Sequence, residues 1–271
     1  MPTEPTLSLS EPFAAFLRDR CYLVTGASRG LGAVAATALA AGGARLVLAA
    51  RDRDALERVR AGSCHPEHHV CVAADLRQTE QIAGLAVAAE THAHGTLDGI
   101  LHVAGGGLGL REPLIAAADL ETLFRVNVVA AAELNRRLVP GMVTRRSGCL
   151  VHVGSIAGSE AVASVGYNTV KAALSAYVRS LGQHLSGSGV VATGILPGAF
   201  RAPGNSWERL EAGKPDVVQK FIAERLPRGR LGEAAELVPL ILFLCSPAAS
   251  MMGGCMVPID AGEGKSYAAT G

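Results

Sequence analysis

From residue 21 to about 200, short apolar runs rich in β-branched residues alternate with longer segments whose apolar positions recur at helical spacing. The short runs are CYLVTG (21–26), ARLVLAA (44–50), HVCVAA (69–74), DGILHVAG (98–105), GCLVHVGS (148–155) and VVATGILPG (190–198). Helical segments fill the gaps over Leu31–Ala41, Asp54–Arg60, Thr79–His92, Asp119–Thr144 and Ser164–Leu185. Strands with no polar face must be covered on both sides, which is the condition of a parallel sheet. The pattern therefore predicts a doubly wound α/β fold: one domain over residues 1–271, its parallel sheet of about seven strands carrying helices on both faces. A helix over Glu233–Cys245 and a strand over Met256–Ile259 close the sheet. Residues 1–15 read as a loose N-terminal arm. The stretch from about 201 to 227 breaks the rhythm with Pro203, Gly204, Gly213 and Pro215, yet holds the only tryptophan, Trp207. A long polar insertion with one aromatic anchor, placed after a strand's carboxyl end, reads as a lid over a substrate, with Trp207 as a candidate substrate contact.

Composition narrows the function without choosing it. Twenty-five Lys and Arg against 24 Asp and Glu leave a net charge of +1, so no basic footprint for nucleic acid is present. The longest apolar run, Leu237–Cys245, is interrupted by Pro239 and is too short to span a membrane. The N-terminus carries Glu4 and Glu11 early and lacks the basic start and apolar run of a secretion signal. Six cysteines form no Cys-x-x-Cys pair, which suits reduced thiols in the cytoplasm. Cys64, His65, His68, His69 and Cys71 crowd one connection, but their spacing matches no ordinary metal pattern, and no metal is expected.

The first strand runs into Thr25-Gly26-Ala27-Ser28-Arg29-Gly30-Leu31-Gly32 and a helix. Glycines there permit a tight turn and close approach of backbone N–H groups, and the following helix turns its partially positive end toward the turn. That is the setting for a pyrophosphate, in the manner of a Rossmann-type dinucleotide site. Such sites commonly carry an acid at the tip of the second strand for a ribose 2′-hydroxyl. Here that strand ends Ala49-Ala50-Arg51, and an arginine suits a 2′-phosphate instead. Arg29 adds a second cation, so NADP(H) is favoured and NAD(H) remains possible. Asp75, after the third strand, is placed either to accept from an adenine amino group or to cap the next helix.

Tyr167 and Lys171 stand four apart in a helical segment, so both side chains share a face. A phenol titrating near 10 exchanges protons poorly at neutral pH unless a nearby cation stabilises its anion, and Lys171 is placed to do so. Ser155 ends the fifth strand, where open α/β sheets bind ligands.

Together, Thr25-Gly26-x-x-x-Gly30-x-Gly32, Asn127, Gly154-Ser155, Tyr167-x-x-x-Lys171, Pro197-Gly198 and the ending Pro258-Ile259-Asp260-Ala261-Gly262 resemble the short-chain dehydrogenase/reductase family, from Cys21 to Gly262. The resemblance implies interconversion of a small-molecule carbonyl and an alcohol. Tyr167 would be the general acid/base, Lys171 would lower its pKa and hold the nicotinamide ribose, Ser155 would hold the substrate oxygen, and Asn127 would anchor a relay water. Cofactor contacts would come from Gly26, Ser28, Arg29, Gly30, Leu31, Gly32, Arg51, Asp75, Leu76, Ala104, Gly105, Tyr167, Lys171, Pro197 and Gly198. The chain departs from the family at His102-Val103, where two asparagines are usual, at Ala202, where a threonine is common, and in a Ser-to-Tyr spacing one residue short. The stretch Val103–Pro113 with its Gly-Gly-Gly and the lid Gly204–Leu226 around Trp207 are similar to members found in bacterial polysaccharide and sugar-modification pathways, and the same core motifs fit a 3-oxoacyl carrier-protein reductase. A binder that senses NAD(P) without turnover is the alternative from another class; it has no need of the Ser155, Tyr167, Lys171 set. Surplus small and apolar residues on the two long helices predict a homotetramer or homodimer.

Overall fold

The computed structural model describes residues 15–266; the arm expected at 1–15 lies, save its last residue, outside them. Strands β1 (Cys21–Thr25), β2 (Arg45–Ala50), β3 (His69–Ala73), β4 (Gly99–His102), β5 (Gly148–Val153) and β6 (Val190–Pro197) alternate with helices. These helices are α1 (Gly30–Ala41), α2 (Arg53–Ala61), α3 (Thr79–His92), α4 (Ala117–Phe124), α5 (Ala130–Arg145) and α6 (Val165–His184). The stretch expected as a lid, with the residue before it, forms a short strand β7 (Phe200–Arg201) and helices α7 (Ser206–Gly213) and α8 (Pro215–Arg225). Strand β8 (Gly232–Glu233), helix α9 (Ala234–Leu244) and strand β9 (Met256–Ile259) complete the order.

The main sheet has seven parallel strands in the order β3-β2-β1-β4-β5-β6-β9. Every residue of β1 is buried, as a strand covered on both faces requires. On one face Ala35 and Leu39 of α1 and Leu237 and Ile241 of α9 pack against Tyr22, Val24 and Val151. On the other, Ile82 and Leu85 of α3 and Leu134 and Leu138 of α5 pack against Cys21, Leu23, Ile100 and Leu150. The reversal of strand order between β1 and β4 opens a crevice at the strands' carboxyl ends.

The expected helix over Asp119–Thr144 begins earlier and is broken. A π-helical turn, Arg125–Val129, separates α4 from α5 and brings Asn127 inward, buried. One extra residue per turn re-aims a side chain that a regular helix would point elsewhere, and such turns gather at functional sites. The stretch expected as a lid is largely helical: Asn205 caps α7 by accepting from the Glu208 N–H (2.9 Å), and Trp207 lies tilted against Phe221 of α8 with ring centroids 4.4 Å apart.

Candidate active site

The carboxyl ends of β1, β4, β5 and β6 meet along one edge of the sheet, and the segments leaving them carry Gly26–Gly32, Ala104–Gly107, Ser155 and Pro197–Gly198. Gly26 has φ +69°, and a Cβ on it would lie 2.9 Å from the Ala104 nitrogen. A Cβ on Gly32 would come within 2.2 Å of the Gly26 carbonyl oxygen. No other residue fits either place, because backbone fills the volume a side chain needs. Thr25 locks the two loops together, its Oγ1 accepting from the N–H groups of Val103 (3.1 Å) and Ala104 (3.2 Å). No side chain caps α1, its first turn holds no acid, and Arg29 occupies the N-cap. A helix end in that state offers N–H groups and partial positive charge to an anion. Part of the offer is taken by the lid: the Gly30 N–H donates to the Pro203 carbonyl (2.9 Å), and Arg29 donates to that of Gly204 (3.3 Å).

At the other end of this region Arg51 is exposed beyond β2, and Asp75 follows β3. Asp75 does not cap α3. Its carboxylate accepts from Arg77 through the backbone N–H, Nε and Nη2, and this pairing, more than the Arg51 charge, holds the carboxyl below its ordinary value. Arg77 was not singled out by sequence, although a cation two residues past an acid in a turn is a readable signal. Leu76 turns inward and is buried.

Tyr167 and Lys171 sit one turn apart on α6, with Ser155 at the end of β5 beside them. Lys171 is 4% exposed, and its Nζ donates to the Val153 carbonyl at 2.9 Å. Burial alone pushes that ammonium down to about 8. The Nζ stands over the Tyr167 ring, 5.6 Å from its centroid, rather than at the phenol oxygen. Desolvation accordingly raises the Tyr167 phenol, with the Ser155 hydroxyl pulling the other way. The lowering expected from Lys171 is not expressed in this arrangement; at neutral pH the phenol keeps its proton.

Asn127 uses its whole amide on backbone. Its Oδ1 accepts from the Gly106 N–H (2.9 Å), and its Nδ2 donates to the carbonyls of Gly106 (3.1 Å) and Leu123 (2.9 Å). The side chain is therefore a clamp on the glycine run after β4. Gly107 in turn lies against the Tyr167 ring. Gly198 stands against Glu263 and Asp260, and buried Glu263 accepts from the Ala199 N–H. Ala202 is buried at 2% exposure, in the core beneath the lid's entry. Trp207 packs with Phe221, Leu210 and Ile222 into a small apolar cluster of the lid's own. His65, Glu67 and His68 gather on the exposed connection before β3, at the opposite end of the sheet from Ser155.

The sequence singled out His102 but not the buried polar group it joins behind this site, His152, Asn135 and Tyr177. His102 ends β4 and His152 faces it from β5 in register, with rings stacked at 4.5 Å between centroids. His102 Nε2 bonds Asn135 Oδ1 (2.9 Å); the Asn135 Nδ2 donates to Tyr177 Oη (3.0 Å) and reaches His152 Nε2 (3.4 Å). Two histidines inside apolar strands were the available signal.

Comparison with known proteins accords with this geometry. The family model described as enoyl-(acyl carrier protein) reductase matches residues 26–263. Galactitol 2-dehydrogenase (L-tagatose-forming) of Cereibacter sphaeroides is 30% identical over 250 residues, covering 91% of this chain and 95% of that protein. The crystal structure of L-sorbose reductase from Gluconobacter frateurii, complexed with NADPH and L-sorbose, superposes with a TM-score of 0.83 at 26% identity, over 92% of this chain and 98% of that one. A 3-oxoacyl (acyl-carrier-protein) reductase of Agrobacterium tumefaciens C58 with NADP bound gives 0.84 at 26% identity, over 96% and 100%.

Proposed function

The chain belongs to the short-chain dehydrogenase/reductase family, whose enzymes act on alcohols and carbonyls, and from that premise we propose that it is an NADP(H)-dependent carbonyl reductase with Tyr167 as its general acid. The observation that carries the proposal is the buried Lys171 one helical turn from Tyr167, with Ser155, just past β5, acting on the Tyr167 phenol. A buried cation is costly, and a protein that only binds has no use for this one.

The residues fit a dinucleotide. The uncapped start of α1 and the two glycines with no room for a Cβ suit a pyrophosphate. Arg29 and Arg51 suit a 2′-phosphate; Asp75 and Leu76 would take the adenine, and Ala104, Gly105, Tyr167, Lys171, Pro197 and Gly198 would hold the nicotinamide end. When bound, the cofactor supplies the hydride.

The chain's own residues do the rest. Ser155 holds the substrate oxygen by donating to it as negative charge grows there. Tyr167, still protonated because burial raises its pKa, gives its proton to that oxygen. Lys171, its Nζ 5.6 Å from the ring centroid, is the positive charge that would face the phenolate left behind. Asn127 keeps the Gly105–Gly107 run in place against the tyrosine ring.

We assign a small polar carbonyl, a ketose or a related sugar, as substrate, since the sugar-alcohol and L-sorbose enzymes are among the proteins this chain resembles. A 3-oxoacyl thioester is the second reading, favoured by the 3-oxoacyl reductase. Free thiols, three of them buried, suit a cytoplasmic setting, and no helix among the described residues is long and apolar enough to cross a membrane. Val129 and Val143, beside and on α5, and Val165 on α6 are exposed, which suits a homotetramer or homodimer; a monomeric mass by light scattering at micromolar concentration would overturn that assignment.

The test of the mechanism is Tyr167→Phe. Turnover of a carbonyl that the wild type reduces falls by at least about a thousandfold, with NADPH affinity near normal, while Ser155→Ala costs roughly 10²–10³ for the loss of one donor to the oxyanion. Wild-type turnover in Tyr167→Phe would remove the phenol from the reaction.

A further inference from the structure

Away from the proposed active site, metal-binding donors gather on the connection from α2 to β3, at the opposite end of the sheet from Ser155. His65, Glu67 and His68 each present one donor atom there, and the three atoms all lie within 4.8 Å of one another. His65 Nδ1 is 3.6 Å and His68 Nε2 3.7 Å from the same oxygen, Glu67 Oε1. Ligands of one tetrahedral ion, at bond lengths of about 2.0–2.2 Å, stand about 3.3–3.6 Å apart, so these separations need little adjustment. The spacing of Cys64, His65, His68, His69 and Cys71 argues against a site made of those five, and the structure brings a different set together. His69 is buried with its Nε2 on the Cys64 carbonyl (2.8 Å), and Cys71 lies within β3. Glu67, which the pattern of cysteines and histidines left out, completes the three.

The backbone carrying these side chains is fixed by its neighbours. Arg60 of α2 donates from Nη1 to the Pro66 carbonyl (2.9 Å), and His92 at the end of α3 bonds the His68 carbonyl through Nε2 (3.1 Å). Pro66 opens a short 3-10 turn closed by the His68 N–H on the His65 carbonyl (2.9 Å). Side chains three apart eclipse in such a turn, and the His65 and His68 rings accordingly stack with centroids 5.3 Å apart. His65 itself holds φ +53° and ψ +57°, the left-handed region, which turns the chain sharply just before Pro66. With the backbone already set, an arriving ion has only three side chains to order, and that lowers the entropic cost of binding. Arg60, the cation that holds the loop, is itself paired with Glu57 (2.7 Å), which offsets its repulsion of a metal ion.

We propose that His65, Glu67 and His68 bind one divalent transition-metal ion of the zinc class, which clamps the start of strand β3. Two imidazoles and one carboxylate select that class, because imidazole suits zinc, nickel and copper whereas magnesium and calcium are held by oxygen ligands. The three side chains are between half and two-thirds exposed, so water completes the coordination and the affinity is moderate. Strand β3 is the outermost strand of the sheet and is bonded to β2 alone, which makes its start a place where an added tie is felt. An ion that binds the folded chain better than the unfolded one raises stability by mass action. The clamp is independent of turnover, since it lies at the far end of the sheet from Ser155 and Tyr167.

Calorimetric titration of the full chain with zinc chloride, in a buffer that does not bind metal, reads the site. Expected is one ion per chain with a micromolar dissociation constant, and a melting temperature that rises with zinc. His68→Ala and Glu67→Gln each weaken binding by at least about tenfold, since even a group that only orients a ligand is worth roughly 10- to 100-fold. His184→Ala, at an exposed histidine ending α6, leaves it unchanged. Both loop substitutions replace exposed side chains, and the melting temperatures of the metal-free proteins check that each still folds. Zinc collected by any surface histidine gives several weak sites and equal losses in all three variants, which overturns the proposal, as does the absence of binding at millimolar zinc. Cys64 precedes His65, so cobalt(II) replaces zinc in a second measurement. Its spectrum is expected to lack thiolate charge-transfer absorption and to be the same in Cys64→Ser. Strong thiolate absorption that disappears in Cys64→Ser would give the ion to the cysteine and overturn the ligand set assigned here.

Discussion

The two ends of the site are built from different materials. At the phosphate end the binding groups are backbone: a glycine turn with no space for side chains, the bare start of a helix, and exposed arginines at its rim. At the chemical end they are side chains held in the interior: Lys171 and Asn127 nearly inaccessible, Tyr167 and Ser155 half-buried, His102 and His152 behind them. Backbone geometry cannot be titrated away and exposed charges are screened by salt, so the first end tolerates changes in its surroundings. Buried ionisable groups carry the full cost of desolvation, so the second is sensitive to single atoms. The comparison teaches where the enzyme keeps its stress. The proposed cofactor end is made of backbone that does not titrate, and the proposed chemical end of buried groups that do.

The largest break in that contrast comes from Lys171→Met in the cofactor-free protein. Burial lowers the ammonium from 10.5 to about 8, an unfavourable contribution to folding of about 3 kcal/mol at pH 7. Methionine removes it and strands the Val153 carbonyl, which costs about 1 kcal/mol or more in return. The net expectation is a protein more stable by about 1–2 kcal/mol and devoid of useful turnover. The pH dependence fixes the cause. Below about 8 the lysine is protonated in both folded and unfolded chains, and its full cost is present. Between about 8 and 10.5 the unfolded chain binds more protons than the folded one, so wild-type stability rises with pH relative to the variant. Denaturant melts of both proteins from pH 7 to 10.5 read the difference directly; a gap that does not narrow would mean that Lys171 is not buried charged.

How far sequence could see differs in the same way between the two ends. The glycine turn was legible because φ +69° at Gly26 and the contact beneath Gly32 leave no alternative residue, and an observer can infer backbone shape from that restriction. The pairing of Tyr167 with Lys171 was legible because helical spacing is regular. Side-chain partners were not. Asp75 is engaged by Arg77, Trp207 is absorbed by Phe221, and Lys171 bonds Val153 instead of reaching the phenol oxygen. Each outcome depends on which of several reachable partners wins, and that is decided by tertiary packing. The π-helical turn at Asn127 is an intermediate case: the apolar period ran on through it, and the extra residue left no mark in the pattern. His102 and His152 were visible as polar residues in apolar strands, but only the parallel register of β4 and β5 makes them partners.

The smaller effect belongs to the exposed end. Arg51, proposed above to meet a 2′-phosphate, is exposed and close enough to Asp75 for its charge to be felt there. NADPH is expected to bind about tenfold more tightly than NADH, a difference of about 1.4 kcal/mol. The figure is modest because an exposed guanidinium meeting a phosphate gives up hydration on both sides. Arg51→Asp reverses the local sign. The new carboxylate repels the phosphate and accepts from a ribose 2′-hydroxyl, so the preference narrows to parity or inverts. Titration calorimetry with both cofactors measures it, and a second pair of titrations at higher ionic strength sharpens the contrast. Raising the salt erodes the wild-type preference, since the charges responsible are at the surface, and leaves NADH affinity nearly constant, since the glycine turn supplies that affinity through backbone N–H groups. Equal affinities in the wild type would remove Arg51 and Arg29 from phosphate recognition. A preference indifferent to both salt and Arg51→Asp would move discrimination off the rim, to groups of the kind found at the buried end.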